Sequence, residues 1–424
     1  MHKLQYLTKE NYDSNNLGFV DGIKSFASLT IVIFHCFYFL KNILPQETMK
    51  SLLENFPWQL AWVWHGAKAV DVFFIISGFL VTLSFFRIVS KEINLAGTLS
   101  FYKRRISKIL PLYIFSLLIF IPIEIHRWWP NIIFNLLFLN NFFPYNEMFA
   151  PHTWAITVEV QFYFSLPFLF LLFNYFPKKK ISILGLFFLL SCLIRIYVLY
   201  LNPSLYKVSL YELIFIDSSN QEIFAESLYT NLYTRYGSFI IGIFIAILYQ
   251  DYKGIVLKII DSNIAYFCIL FISSVMILFS IIIPVYLPSS YFNQNQSDIF
   301  NFFYITQHRN LFSLGIGGFF LLAMKPKRIL KFFLNLLSSV YLRIISRLSY
   351  SIYLLHPIFI VIAAALIHGI NADIKEVTTI SVFLTALLAF LLTSLASIPL
   401  YLYIEVPFTN KKKKKPKKPN DNKH

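Results

Sequence analysis

Charge is scarce in this chain of 424 residues: Asp, Glu, Lys and Arg make up 14% of it, against a hydrophobic share of 57%. Soluble domains carry about 25% charged residues, so the scarcity excludes a soluble globular protein and indicates a polytopic membrane protein. A mean hydropathy of +0.63 agrees. No polar stretch is long enough to build a separate soluble domain. Cysteine is rare too. Cys36, Cys192 and Cys268 all lie in apolar segments without metal-ligand spacing, so free thiols are expected, with no disulfide and no bound metal. No Gly-rich phosphate loop and no internal repeat is visible.

The charge that is present leans basic, +16 net. The basic residues occupy short loops between apolar runs, the pattern that membrane orientation produces and nucleic-acid binding does not require. Apolar periodicity predicts an all-α polytopic membrane protein of about ten transmembrane helices around a polar cavity. The spans are roughly 20–41, 69–87, 108–125, 153–176, 181–201, 235–250, 260–286, 309–324, 347–368 and 378–404. With both termini cytoplasmic, the inner segments hold 28 of the 37 Lys and Arg and the outer ones 8, as the positive-inside rule requires. All six tryptophans (Trp58, Trp62, Trp64, Trp128, Trp129, Trp154) fall on the outer side, where an interfacial belt is expected. The first apolar segment is too long for a signal peptide and should be retained. Residues 1–17 then form a cytoplasmic segment, 18–408 the membrane domain, and 409–424, with Lys411–Lys418, a basic tail that reinforces topology and touches anionic lipid. The polar outer loops 202–234 and 284–308 are candidates to shape an outward-facing site.

The first span, DGIKSFASLTIVIFHCFYFL (Asp21–Leu40), is almost wholly apolar from Ile23 onward, with Lys24 near its start and His35 deep inside. An ionisable side chain at that depth is costly and usually lines a cavity or pathway. A hydrogen bond to a neighbouring helix would account for a lone histidine equally well. His35 has company, however. At 1.5 Å per residue it lies roughly 20 Å from the inner face, and Glu159 roughly 10 Å below the outer face. Asp71, Arg195, Arg235 and Arg309 fall in that same outer layer. Unlike charges from different spans must face one another or water. The layer therefore reads as a polar cavity opening outward, lined also by His152 and Trp154, with a purely structural ion-pair cluster as the alternative. At the inner face FYKRRISKILPLY (Phe101–Tyr113) sets Arg104, Arg105 and Lys108 at helical spacing. Ordinary positive-inside charge explains them; an anion site for a phosphorylated cytosolic cofactor is the functional reading, since guanidinium groups suit phosphate.

These residues come in ordered motifs. Asp21–His35 resembles the DGLRG…H opening of acyltransferase family 3, a group of integral membrane acyltransferases. GAKAVDVFFIISGFL (Gly66–Leu80), HTWAITVEVQFYF (His152–Phe164), Arg235–Gly242, SRLSYSIYLLHP (Ser346–Pro357) and YIEVPF (Tyr403–Phe408) resemble that family's later elements, in order and spacing. Arg105–Lys108 stands where the family has R-x-x-R. Lys24 and Lys108 replace arginines, keeping charge but losing the bidentate fork. Ala155 replaces a serine, and Ala67 and Ala69 stand where glycine is common. The hydrolase-like domain that some members append is not expected here. The resemblance implies transfer of an acyl group, most often acetyl, from cytosolic acyl-CoA to a hydroxyl of a surface polysaccharide, lipopolysaccharide or glycolipid. The enzyme would sit in the cell (inner) membrane, with no tightly bound cofactor and acyl-CoA as co-substrate.

The bare residues suit that chemistry. Acyl transfer to a hydroxyl needs a base of near-neutral pKa, and histidine is the natural one. Glu159 or Asp71 would orient the imidazole and stabilise its charged form. Whether His35 is a base or carries the acyl group stays open. The expected sites are thus His35, Glu159 and Asp71 for chemistry; Lys24, Arg104, Arg105 and Lys108 for the cofactor; and His152, Trp154, Arg195, Arg235 and Arg309 for the acceptor cavity. His356, mid-depth in the ninth span, reads first as a hydrogen-bonded structural residue. A secondary transporter using the same residues as a proton or substrate path, or a scaffold for polysaccharide assembly, is the competing class; a transporter would be expected to show inverted repeats.

Overall fold

Every long apolar run of this chain folds as a helix, because a backbone in lipid must satisfy its own hydrogen bonds. The computed structural model describes residues 4–8, 17–88, 93–124, 131–369 and 377–409. Arg127, Trp128, Trp129, Lys375 and the basic tail Lys411–Lys418 lie outside the described residues. Among the described residues there is no strand.

The long helices are α1 (Phe19–Phe39), α2 (Ala69–Ile88), α3 (Leu95–Phe120), α4 (Trp154–Tyr175), α5 (Lys180–Leu201), α6 (Leu232–Asp251), α7 (Asn263–Ile282), α8 (Asp298–Leu322), α10 (Val340–His368) and α11 (Thr379–Leu400), with a shorter α9 (Arg328–Leu337) before α10. Eight helices among the described residues are long and apolar enough to cross a membrane, which makes this a multi-pass membrane protein. The other two expected spans coincide with α3 and α8, of 26 and 25 residues. At 1.5 Å per residue both exceed the roughly 30 Å of a hydrocarbon core, but each carries polar and basic side chains along it. α3 begins 13 residues before its apolar part, capped where Asn94 Oδ1 accepts from Gly97 N at 2.7 Å. α8 takes in 298–308, so half of the segment expected as an outer loop is helix. The 202–234 loop holds two short helices, Leu210–Phe215 and Ser218–Phe224.

Helix ends are grouped as the charge pattern requires. Lys180 pairs with Asp251 at 2.6 Å and Lys325 with Asp261 at 2.5 Å. Asp21 accepts from Ser346 Oγ at 2.7 Å. All six residues belong to ends expected on one side. At the other ends His65 Nε2 bonds the Ile283 carbonyl at 2.7 Å and Arg195 Nε the Thr306 carbonyl at 2.7 Å. The tryptophan belt needs correction: Trp64 and Trp154 are buried, because each packs on aromatic neighbours within the protein. The three cysteines are free.

Two packings fix the site. α2 and α6 form the most extensive helix pair among the described residues. There Gly78 and Gly242 let backbones touch: a Cβ on Gly242 would come within 2.1 Å of the Ile75 carbonyl. Small residues permit such approach between helices in lipid. The closeness brings Asp71 on α2 to Arg235 and Ser238 on α6. Likewise α1 and α10 run parallel, joined at their starts by Asp21–Ser346 and by Ser25 Oγ donating to the Leu342 carbonyl at 2.5 Å.

Candidate active site

The parallel packing of α1 and α10 sets two histidines face to face. His35 Nδ1 and His356 Nε2 are 2.7 Å apart, and the rings stack with centroids 4.7 Å apart. The sequence explains why His356 is held. Pro357 has no backbone N–H, so the helix cannot use the carbonyl four residues earlier, that of Tyr353. His356 Nδ1 takes that acceptor at 2.7 Å. A carbonyl only accepts, so Nδ1 of His356 carries the proton; in the neutral ring its Nε2 then accepts. His35 Nδ1 must therefore donate, which makes Nε2 the basic nitrogen of a neutral His35 ring. His152 completes a third corner, its ring edge-on to His356 with centroids 6.1 Å apart and its Nε2 3.1 Å from the Leu354 carbonyl. Tyr353 donates its hydroxyl to the His152 carbonyl.

Below this cluster lies a cavity with an empty volume of about 900 Å³, part of it open to the exterior. Its upper end is formed by Tyr353, Ala155 and Val70, and its lower by Lys24, Arg105 and Lys108. Lys24 and His35 are 11 residues apart on α1, roughly 16 Å along the axis. Tyr353 reaches the upper end one turn before His356. Glu159 lines the cavity too, its Oε1 accepting from Ser77 Oγ and from Tyr163 OH, both at 2.6 Å. Arg105 lies over the Tyr163 ring at 5.9 Å, and its buried Nε has no hydrogen-bond partner among the described residues. Three cations thus face one carboxylate, with a guanidinium donor to spare.

The expected outer charge layer separates into distinct clusters. Asp71 is gripped by Arg309 and, at 3.3 Å, by Arg235, with Ser238 Oγ at 3.2 Å. Arg235 also lies over the Trp154 and Tyr229 rings, 5.2 and 4.4 Å from their centroids. Arg195 donates to the Thr306 and Ile305 carbonyls, each at 2.7 Å. It ties α5 to α8. Buried Lys68 bonds His65 Nδ1 at 3.1 Å beside them. Neither Asp71 nor Glu159 is a hydrogen-bond partner of His35; His356 stands where a carboxylate was expected. Glu159 belongs instead with Lys24, Arg105 and Lys108. Arg104, one residue and 100° round the helix from Arg105, is exposed and outside the cavity lining. His356, Tyr353, Ser77 and Tyr163 are the residues that sequence reasoning missed or undervalued. The His-Pro dipeptide was the available signal for the first two.

A family profile described as an acyltransferase domain matches residues 17–402. The chain belongs to this acyltransferase family. Among similar proteins, the O-acetyltransferase OatA of Staphylococcus aureus is 26% identical over 427 residues, covering 94% of this chain. The chain spans 58% of that relative's length. A protein of Caenorhabditis elegans, nose resistant to fluoxetine protein 6, is 28% identical over 36% of this chain and 22% of its own. An uncharacterised Haemophilus influenzae protein is 29% identical over 34% of this chain and 64% of its own. No solved structure matches it. The family match spans both ends of the cavity, from Lys24 to Tyr353, and all three clustered histidines.

Proposed function

We propose that this protein is an integral membrane O-acyltransferase that moves an acyl group, acetyl foremost, from cytosolic acyl-CoA to a hydroxyl of a cell-surface polysaccharide or glycolipid sugar. The observation that carries the reading is the cavity. Its cationic end suits phosphate groups, and its other end stops at Tyr353, one helical turn from His356, the partner of His35. The name of the staphylococcal relative supports acetyl as the group. In this reading the Lys24 end faces the cytoplasm, consistent with the positive-inside count, and the protein resides in the cell (inner) membrane.

The chemistry follows from the tautomer. His35 Nε2 takes the proton of the acceptor hydroxyl as its oxygen attacks the thioester carbonyl; the C–S bond breaks and the thiolate of CoA recovers that proton. Alternatively Nε2 attacks first, and the hydroxyl then resolves the acyl-imidazole. In both routes the charged ring keeps donating through Nδ1 to His356, which passes the polarisation to the Tyr353 carbonyl. His356 thereby orients His35 as the carboxylate does in a serine-hydrolase triad. His356→Leu removes the acceptor and should slow transfer about 10²-fold; His356→Gln keeps an acceptor oxygen and should retain more. Equal rates for the two variants would show that orientation is not what His356 supplies.

The donor end makes a separate expectation. Arg105→Ala should raise the apparent KM for acyl-CoA more than for the acceptor, whereas Arg104→Ala should leave it nearly unchanged. Lys108→Arg should be tolerated and tighten binding, since a fork replaces a point charge. Kinetics at saturating acceptor would read this, and an unchanged acyl-CoA response in an Arg105→Ala/Lys108→Ala double variant would sink the donor site. The function itself is tested with purified protein and acetyl-labelled acetyl-CoA, following CoA release and label transfer to a glycan acceptor. Wild type should release CoA with acceptor present; a folded protein that leaves the thioester intact with every glycan fraction would refute it.

A further inference from the structure

Helix α9 is too short to span a membrane. It has ten residues, roughly 15 Å, and joins the end of α8 to the start of α10, which both belong to the same side of the protein. It therefore runs along that face. Both ends are pinned. On one side Lys325 pairs with Asp261, and Lys327 Nζ donates to Asn263 Oδ1 at 2.8 Å. On the other, Leu337 packs against Gly22 so closely that a Cβ there would lie 2.4 Å from its carbonyl oxygen. Gly22 is two residues from Lys24 at the cationic end of the cavity.

At 100° per residue the helix has three sides. Leu330, Leu334 and Leu337 turn toward the protein and are partly buried. Arg328, Lys331 and Asn335 form a polar side and are exposed. The third side is Ile329, Phe332, Phe333 and Leu336, all more than half exposed. Four large apolar side chains in a row would be an aggregation hazard in water. A polar edge and an apolar edge about 120° apart match a helix lying in a membrane interface, apolar side among acyl chains and basic side at the headgroups.

We propose that α9 is an in-plane anchor that binds anionic phospholipid of the leaflet at the Lys24 end, with Arg328 and Lys331 at the headgroup phosphates and Ile329, Phe332, Phe333 and Leu336 in the acyl layer. Charge complementarity selects the occupant: the exposed cations bordering the apolar edge are two, and no carboxylate lies on the helix. The leaflet is the cytoplasmic one in the orientation given above. Through the Leu337–Gly22 contact the anchor bears directly on the helix that carries Lys24 and His35.

The test uses the full chain in nanodiscs, with phosphatidylcholine alone or mixed with phosphatidylglycerol. Phe332→Trp adds a fluorophore to the exposed edge, and brominated acyl chains report whether it lies among lipid. Emission beyond that of wild type should be quenched by brominated lipid and not by aqueous iodide. Native mass spectrometry should show retained phosphatidylglycerol, and Arg328→Gln and Lys331→Gln should each weaken that preference roughly fivefold. Quenching by iodide would mean a solvated edge. Quenching by neither agent would mean a second protein or a second copy covers it, and an unchanged lipid preference in the double Gln variant would exclude the headgroup contacts. Any of these overturns the proposal. None depends on acyl transfer, so the proposed function and the anchor fail independently.

Discussion

Replacing His35 by alanine should abolish acyl transfer in a protein that still folds and inserts. His35 occupies the end of α1 away from the Asp21–Ser346 and Ser25–Leu342 contacts that hold α1 to α10, so its loss leaves the helix pair intact. What disappears is the imidazole whose Nε2 is the basic nitrogen of the His35–His356 pair. A positioned base contributes about 10²–10⁴-fold, which sets the minimum loss, and a covalent acyl carrier would lose more. Initial rates of CoA release, normalised to folded protein by size-exclusion chromatography, read the effect. Near-normal transfer by a well-expressed His35→Ala variant would return the histidine to a structural role.

Asp71→Ala should act on stability rather than on rate alone. The carboxylate is fully buried between Arg235 and Arg309, and removing it leaves two guanidinium groups inside the protein without their counter-ion. Breaking a buried pair by deleting one partner costs about 3–5 kcal/mol, a large share of the 5–15 kcal/mol that holds a typical domain together. The detergent-solubilised variant should show a clearly lowered Tm and reduced yield. Asp71→Asn keeps the shape and one acceptor and should fall between the two. If Asp71→Ala had wild-type Tm and lost only activity, the cluster would be functional rather than the brace between α2, α6 and α8 described above.

Much of this architecture was legible in the chain, and the reasons are specific. Long charge-free runs such as Asn263–Ile282 leave no alternative to a helix in lipid. The start of α3 was not legible from hydropathy, because Leu95–Lys108 is polar and its helix is fixed by the Asn94 cap instead. The two ends of the cavity were legible in part. Arg105 and Lys108 share a helical face with three-residue spacing, whereas Arg104, equally basic, points away. Partnerships across the chain were the least visible. Depth along each helix placed His35, Glu159 and Asp71 in neighbouring layers, but depth says nothing of azimuth. Azimuth decided that Asp71 meets Arg235, that Glu159 meets Ser77 and Tyr163, and that His35 meets His356. The last contact had a sequence signature in the proline after His356, which frees the Tyr353 carbonyl to fix the ring.

On the proposed function, one cavity leads the acyl donor from Lys24, Arg105 and Lys108 toward the histidine pair. A photoactivatable acyl-CoA, cross-linked to the membrane-embedded protein and mapped by peptide mass spectrometry, tests it most directly. Label should fall on the lining segments 77–81 and 155–163, be displaced by excess CoA and be lost in the Arg105→Ala/Lys108→Ala variant. Label confined to the opposite face around Tyr206 and Phe302, or label indifferent to competing CoA, would contradict it.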